Sequence, residues 1–309
     1  MEDVEDLATA HDSLRPLMFS IAYRMLGSVA EAEDVVQDAF VRMHTSLRDG
    51  LEMESADAFA TTVTSRLAID ALRSARHRRE RYVGTWLPEP LMGKEADDPA
   101  GRVEMKETIS TAFLVLLERL SPLERAVFLL REAFGYDYAD IAEVVDKSEA
   151  NCRQALARAR KRIEAERPRF EPSTERHREL TEEFLAAVTD GDLEGLERML
   201  ANDVVFYADG GGKAPAIQKP LHGATSVARF LLGLVRRGLP MGVRFEPVTA
   251  NAQPAVRLAT RDGEILGVLM LEIADGRVVA FRNQINPDKL GHLGQVGDMF
   301  ALLAEVPRG

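Results

Sequence analysis

The sequence predicts a multidomain chain: two all-α units, the second closing in a helix-turn-helix, followed by an α+β domain. Three observations carry this. The 309 residues exceed what one ordinary core absorbs. Apolar residues recur at helical spacing through the first half, and from Ser173 onward two helical stretches give way to alternating strand-like runs punctuated by turn signals.

The elements follow in order. Leu14, Leu17, Met18, Ile21, Ala22 and Met25 make one apolar stripe of a helix that stops at Gly27. Ser28 to Glu31 fits a capping box and opens a second helix. Its apolar stripe is Ala32, Val35, Val36, Ala39, Phe40 and Met43, and Glu33, Asp34, Gln37 and Asp38 line its outer side. On pattern alone this acidic ridge reads either as a solvated face or as a partner's docking site. After a polar loop from Arg48 to Asp57, a third helix runs from about Ala58 past Arg76, with Ala60, Val63, Leu67, Ala71 and Ala75 inward and Arg66, Arg73 and Arg76 outward.

The stretch TWLPEPLMGKEADDPAG, with three prolines and the only tryptophan, reads as linker rather than core. Ile109 to Leu120 resumes the helical pattern, and Ser121-Pro122-Leu123-Glu124 combines an N-cap, a first-turn proline and a capping glutamate. That helix is expected over 123–134, ending at Gly135. Asp137 caps a short helix from Tyr138 to Val145, a turn at Asp146-Lys147-Ser148 follows, and a basic helix opens near Glu149 with Cys152, Ala155, Leu156, Ala159 and Ile163 inward. Two helices joined by a tight turn form a helix-turn-helix, a shape also found in proteins that never meet DNA. The outward Asn151, Arg153, Gln154, Arg158 and Lys161 include types that bond base edges or phosphates.

The net charge of -11 repels phosphates, yet Arg73–Arg81 holds five arginines against one glutamate, and Arg153–Arg169 seven basic residues against two glutamates. No stretch is apolar for the 18 or more residues of a membrane span, and the acidic start lacks the order of a secretory signal, so a cytoplasmic protein without a membrane role is expected. The single Cys152 excludes an intramolecular disulfide. Six scattered histidines show no HExxH-type spacing, so neither a metal nor a cofactor is predicted.

Taken in order, EAEDVVQDAFVRM, RLAIDALRSARHRRERYVG, LSPLERAVFLLREAFGYDYADIAEVV and QALARARKRI resemble an alternative RNA polymerase sigma factor of the extracytoplasmic-function group, over about Leu7 to Pro168. The resemblance implies core RNA polymerase as the partner of Glu33, Asp34, Gln37 and Asp38. It implies promoter DNA as the partner of two further sets. At the -10 element these are Arg66, Arg73, Arg76, Arg78 and Arg79. At the -35 element they are Ser148, Asn151, Arg153, Gln154, Arg158, Arg160 and Lys161. Family members commonly carry a tryptophan early in the -10 helix; this chain has Phe59, with Thr61 and Thr62. Cys152, where the family usually has valine, is expected to pack rather than to sense redox state.

In the second half, helices over 175–188 and 193–200 precede the strand-like DVVFYAD, an amphipathic helix through Val227, Phe230, Leu231, Leu234 and Val235, and four runs, GVRFEPVTA, AVRLAT, EILGVLMLEIA and RVVAFRN. Turn signals at Arg261-Asp262-Gly263 and Asp275-Gly276 separate them. Helices first and a curled antiparallel sheet last is an α+β arrangement, similar to the SnoaL-like cone, whose interior would accept a small apolar ligand.

Within it, Asp209, Gly210, Gly211, Gly212 and Lys213 spell DGGGK. A phosphate loop needs GxxxxGK followed by a hydroxyl residue, but Tyr207 stands at the first glycine position and Ala214 follows the lysine. Glycines in series instead mark a sharp bend at a strand end. Together with Trp86, Leu87, Pro88, Glu89 and Pro90 (WLPEP) and with Asn286, Pro287, Asp288, Lys289 and Leu290 (NPDKL), the segment resembles the motif set of the sigma-factor class with a fused SnoaL-like domain. That resemblance implies surfaces by which the fused domain touches the sigma half and its linker, regulating it in cis without a separate anti-sigma factor.

The expected domains are 7–82 (sigma region 2), 83–104 (linker), 105–168 (sigma region 4), 173–291 (SnoaL-like) and 292–309 (tail). Two other readings are weighed: a stand-alone ligand-sensing helix-turn-helix regulator, and a SnoaL-type isomerase or cyclase for which Asp209 and His222 are the nearest acid–base candidates. No paired acid and base demands catalysis, so no catalytic residue is assigned.

Overall fold

The computed structural model describes residues 2–50, 55–79, 81–92, 109–165 and 175–304, with the side chains of 2–10, 76–78 and 175–176 outside that description. The described chain forms two compact units. The first comprises residues 2–50, 55–79 and 113–165; the second comprises 81–92, 109–112 and 175–304.

In the first unit, α1 (Glu2–Leu26) and α2 (Val29–Arg48) are separated by Gly27 at φ 66°, and α2 starts on Ser28, whose hydroxyl accepts from the Glu31 amide at 3.2 Å. Both pack on α3 (Ala56–Arg79), burying Met18, Ile21, Ala22, Met25, Ala32, Val36, Ala60, Leu67 and Ala68. Helix α4 (Thr111–Leu117) is followed by α5 (Pro122–Phe128), which opens on the complete Ser121–Glu124 capping box with Pro122 in its first turn. The expected 123–134 helix turns into a π-helical turn, Leu129–Ala133, before Gly135. Asp137 caps α6 (Tyr138–Val145) through the amides of Ala139 and Asp140. Asp146 takes left-handed geometry in the turn, and α7 (Glu149–Ala165) buries Cys152, Ala155, Leu156, Ala159 and Ile163.

The second unit is built on a six-stranded sheet of order β2-β1-β6-β5-β4-β3. Its elements are α8 (Glu175–Asp190), α9 (Leu193–Met199), β1 (Leu200–Asp209), β2 (Leu221–His222), α10 (Ala224–Gly238), β3 (Arg244–Ala250), β4 (Gln253–Ala259), β5 (Ile265–Ala274), β6 (Arg277–Gln284) and α11 (Met299–Ala304). The expected antiparallel sheet needs one correction: β1 runs parallel to β6, Phe206 facing Phe281 and Asp209 facing Gln284, while every other pair is antiparallel. A parallel pair needs a long crossover rather than a hairpin, and 67 residues separate these two strands, from Gly210 to Gly276.

Helices α8, α9 and α10 lie on one face of the sheet. The space between is filled by Phe184, Phe206, Phe281, Leu231, Leu271 and neighbours, with ring centroids 5.1–6.0 Å apart and Phe230 at the edge. This is the SnoaL-like cone, with aromatic side chains occupying its interior. Among the described residues, no helix is long and apolar enough to cross a membrane.

Candidate functional site

The three motifs of the second unit meet on one buried carboxylate. Gly211 and Gly212 take φ of 57° and 73°, turning the chain sharply after β1. A Cβ on Gly211 would also lie 2.3 Å from Asn286 Nδ2, so only glycine allows both the bend and the close approach. Asp209, fully buried at the end of β1, accepts at Oδ1 from the Tyr82 hydroxyl (2.6 Å) and the Gly211 amide (3.1 Å). Its Oδ2 accepts from the Leu87 amide (2.8 Å), Lys289 Nζ (2.7 Å) and Gln284 Nε2 (3.2 Å).

Lys289, placed by the 3₁₀ turn Pro287–Lys289 that Asn286 caps, donates also to the Leu87 carbonyl at 2.6 Å. Its ammonium stands 4.4 Å from the Trp86 ring centroid and 4.7 Å from that of Tyr82. Burial first, then Asp209 beside it, pushes the Tyr82 phenol far above its usual range, so the hydroxyl stays a donor. Lys213 pairs with Asp288 at the exposed rim (2.5 Å), and Leu290 is buried.

WLPEP is therefore not the loose linker its composition predicts: Leu87, Pro88, Glu89 and Pro90 are buried and Trp86 half-buried. Proline-rich chain leaves its carbonyls without partners of its own, and the second unit supplies them, Gln284 Nε2 to Leu87 and Pro88 and His292 Nε2 to Pro90. A second clamp, absent from the sequence reading, holds both sides of the linker. Asn251 accepts from the Leu91 amide (3.0 Å), donates its own amide to the Leu91 carbonyl (2.8 Å), and donates Nδ2 to the Ile109 carbonyl (2.9 Å). Gln253 accepts from the Thr111 amide at 2.8 Å. The only signal for this clamp is the β3–β4 turn, where Asn251 and Ala252 take positive φ. Tyr82 and Gln284 carried none.

Among the residues expected to face DNA, geometry separates two groups. Arg66 donates to the Val144 (3.0 Å) and Glu143 (2.8 Å) carbonyls at the open end of α6. Arg79 bonds Glu118 and the Leu26 carbonyl (2.5 Å), and Glu118 also binds the buried Arg125, whose guanidinium closes on the Met25 and Leu117 carbonyls. Burial would raise the Glu118 carboxyl, but Arg125 and Arg79 hold it below the usual carboxylate range. Arg66 and Arg79 therefore bridge the two helical halves instead of pointing freely outward, because unfilled helix-end carbonyls lie in their reach. Arg73 is exposed beside Asp70 (2.9 Å); the side chains of Arg76 and Arg78 lie outside the described residues. Thr61 is buried against the Tyr136 hydroxyl (2.8 Å), and Thr62 bonds the Ala58 carbonyl.

On α7, Ser148 accepts from the Asn151 amide, while the side chains of Asn151, Gln154 and Lys161 are exposed. Arg153 pairs with Glu149 and stacks on Tyr138; Arg158 and Arg162 converge on the buried Glu124, at 2.9 and 2.6 Å, and Arg160 pairs with Glu132. Burial would raise Glu124, but the Ser121 amide and Arg158 lower it.

On α2, Asp34, Gln37 and Asp38 are exposed, whereas Glu33 is half-buried and paired with Arg15 at 2.5 Å. The same stripe continues to Val41, an apolar side chain 60% exposed that the polar pattern did not flag. Of the two acid–base candidates, Asp209 has both oxygens occupied by donors, and His222 is exposed on the short strand β2. No group of three or more His, Cys, Asp or Glu suited to a metal ion occurs among the described residues.

Comparison with known proteins agrees with this layout. The family described as Sigma-70 region 2 matches residues 11–78, and Sigma-70, region 4 matches residues 110–163. The ECF RNA polymerase sigma factor SigJ of Mycobacterium tuberculosis (strain H37Rv) is 39% identical over 90% of this chain and 91% of its own length. The probable ECF RNA polymerase sigma factor SigI of Mycobacterium tuberculosis (strain CDC 1551) is 32% identical over 95% of this chain and 98% of its own. The crystal structure of Mycobacterium tuberculosis SigJ matches with a TM-score of 0.73 at 34% identity, covering 92% of this chain and 98% of that one. With both sigma regions present in order and the likeness running on through the fused domain, the chain belongs to the extracytoplasmic-function RNA polymerase sigma factors.

Proposed function

We propose that this sigma factor, which works on core RNA polymerase and promoter DNA, is regulated in cis by its SnoaL-like domain through the chain segment that joins its two sigma regions. The observation that carries this reading is the Asp209 carboxylate, which gathers Tyr82, Leu87 and Lys289 and so fastens the linker to the fused domain. Asn251 fastens the far side of the linker at Ile109. Regulation of this kind needs no separate anti-sigma protein. We assign the domains to 7–82, 83–104, 105–168, 173–291 and 292–309.

Core polymerase is met by the stripe Asp34, Gln37, Asp38 and Val41, with Glu33 held by Arg15 as its support. The -35 element is read by Asn151 and Gln154 at the start of α7, with Lys161 and the paired arginines Arg153, Arg158 and Arg160 on phosphates. At the -10 element Arg73 is accessible, and Arg66 and Arg79 serve only once their bonds to Glu143, Val144, Leu26 and Glu118 open. A small apolar ligand finds room in a cleft of about 310 Å³ lined by Lys213, Leu266, Ile285, Val296, Met299 and Phe300, rather than inside the phenylalanine-filled cone.

The test is run-off transcription with core enzyme and the full chain, comparing the natural protein with Asp209→Asn, Lys289→Gln and Asn251→Ala. Altered promoter-specific output from folded variants supports control through the linker; output unchanged in all three refutes it.

A further inference from the structure

From Gly210 to Phe245 the chain runs for 36 residues with six lysines and arginines and no aspartate or glutamate. In a protein with 50 acidic residues and a net charge of -11, this is a third basic region, and it lies in the fused domain, outside both sigma regions. Its centre is α10. The helix buries Val227, Ala228, Leu231, Val235 and Gly238, so its outer line is Ser226, Arg229, Gly233, Arg236 and Arg237, all exposed. No carboxylate among the described residues pairs with Arg229, Arg236 or Arg237, in contrast to the arginines of α7. Cations that make no ion pair among the described residues remain available to an outside anion.

Gly233 is a second, separate observation. A glycine in a helix interior lowers stability relative to alanine. Elsewhere in the domain such a cost has a packing reason: a Cβ at Gly267 would strike Ile285 at 2.6 Å. At Gly233 nothing lies within 4 Å, so no neighbour among the described residues requires the missing side chain. A bare position midway between arginines lets a bulky backbone approach the helix. Arg229 and Arg237 stand eight residues apart, about 12 Å along the axis, on the order of the width of the major groove.

We propose that the outer face of α10 is a DNA-contacting surface of the fused domain, in which Arg229, Arg236 and Arg237 bind phosphates of the promoter duplex and Gly233 gives the backbone its closest approach. The domain then adds sequence-independent affinity to the contacts made by the two sigma regions.

The test uses the full chain with core polymerase and a fluorescent promoter duplex chosen by start-site mapping, titrated between 50 and 200 mM salt. Arg236→Gln/Arg237→Gln should lower the slope of log affinity against log salt by about 2, near 0.9 per lost phosphate contact, and weaken binding about tenfold. Gly233→Ala should raise the melting temperature while weakening DNA binding severalfold, a combination that a merely structural glycine does not give. An unchanged slope in the arginine variant overturns the proposal. So does an arginine variant that loses core polymerase instead of DNA, since the face then belongs to an acidic protein surface.

Discussion

Lys289 and Asp209 form a buried ion pair at 2.7 Å that Tyr82 and the linker residues Trp86 and Leu87 surround, with Gln284 and the Gly211 amide also donating to the carboxylate. A buried pair contributes little net stability by itself, because both charges lose their water. Removing one partner is a different matter, since the survivor is left uncompensated. Asp209→Ala should destabilise the second unit by about 3–5 kcal/mol, and Asp209→Asn/Lys289→Gln by clearly less. Urea unfolding of the three proteins checks this; a single variant as stable as the double one refutes the pairing.

The same geometry predicts where the chain is cut. With Asp209 replaced by asparagine, the Leu87 amide keeps at most a neutral acceptor, and Lys289, which donates to the Leu87 carbonyl, loses its counter-charge. Limited proteolysis should therefore open first within 81–92 in Asp209→Asn, while the natural protein resists there. Fragment masses at early times are the readout, and cleavage confined to sites outside 81–92 counts against the strap.

Much of this architecture was legible. Helix boundaries followed from Gly27, Ser28, the Ser121–Glu124 box and Asp137, because each cap satisfies orphan backbone groups by local bonds that a linear sequence displays. The π-helical turn at Leu129–Ala133 and the parallel β1–β6 pairing were not, since neither changes apolar periodicity. At the site, DGGGK and NPDKL are visible as motifs, whereas Tyr82, Asn251 and Gln253 act on groups 127 to 160 residues away, partners that no local pattern displays. Arginine position likewise foretold charge but not commitment: Arg66 and Arg153 read alike, yet one closes a helix end and the other stacks on Tyr138.

Docking on polymerase should depend on Val41 as much as on the acids around it. A 60% exposed valine set among Asp34, Gln37 and Asp38 buries apolar area only in a complex. Val41→Glu should weaken association with core enzyme about tenfold or more and leave the melting temperature within a degree or two. Asp34→Arg should slow association more at low salt than at high salt. Surface-immobilised core enzyme and stopped-flow association distinguish the two effects.

The joint between the helical halves should carry a pH signature. Glu118 sits between Arg79 and the buried Arg125, and although burial opposes it, the two guanidinium groups hold its folded pKa below the ordinary value. For a carboxyl with a depressed folded pKa, the stabilisation is fully present above the unfolded pKa of about 4.3. It is lost as pH falls through the folded value. Stability of the natural protein should thus decline below about pH 4.3 more steeply than that of Glu118→Gln, which has no proton to take up at this position. At pH 7 the variant should be weaker by about 3 kcal/mol, since Arg125 keeps its burial without its anion. Urea titrations of both proteins from pH 7 to pH 3.5 measure the difference directly, and two curves that stay parallel throughout would remove Glu118 from the joint.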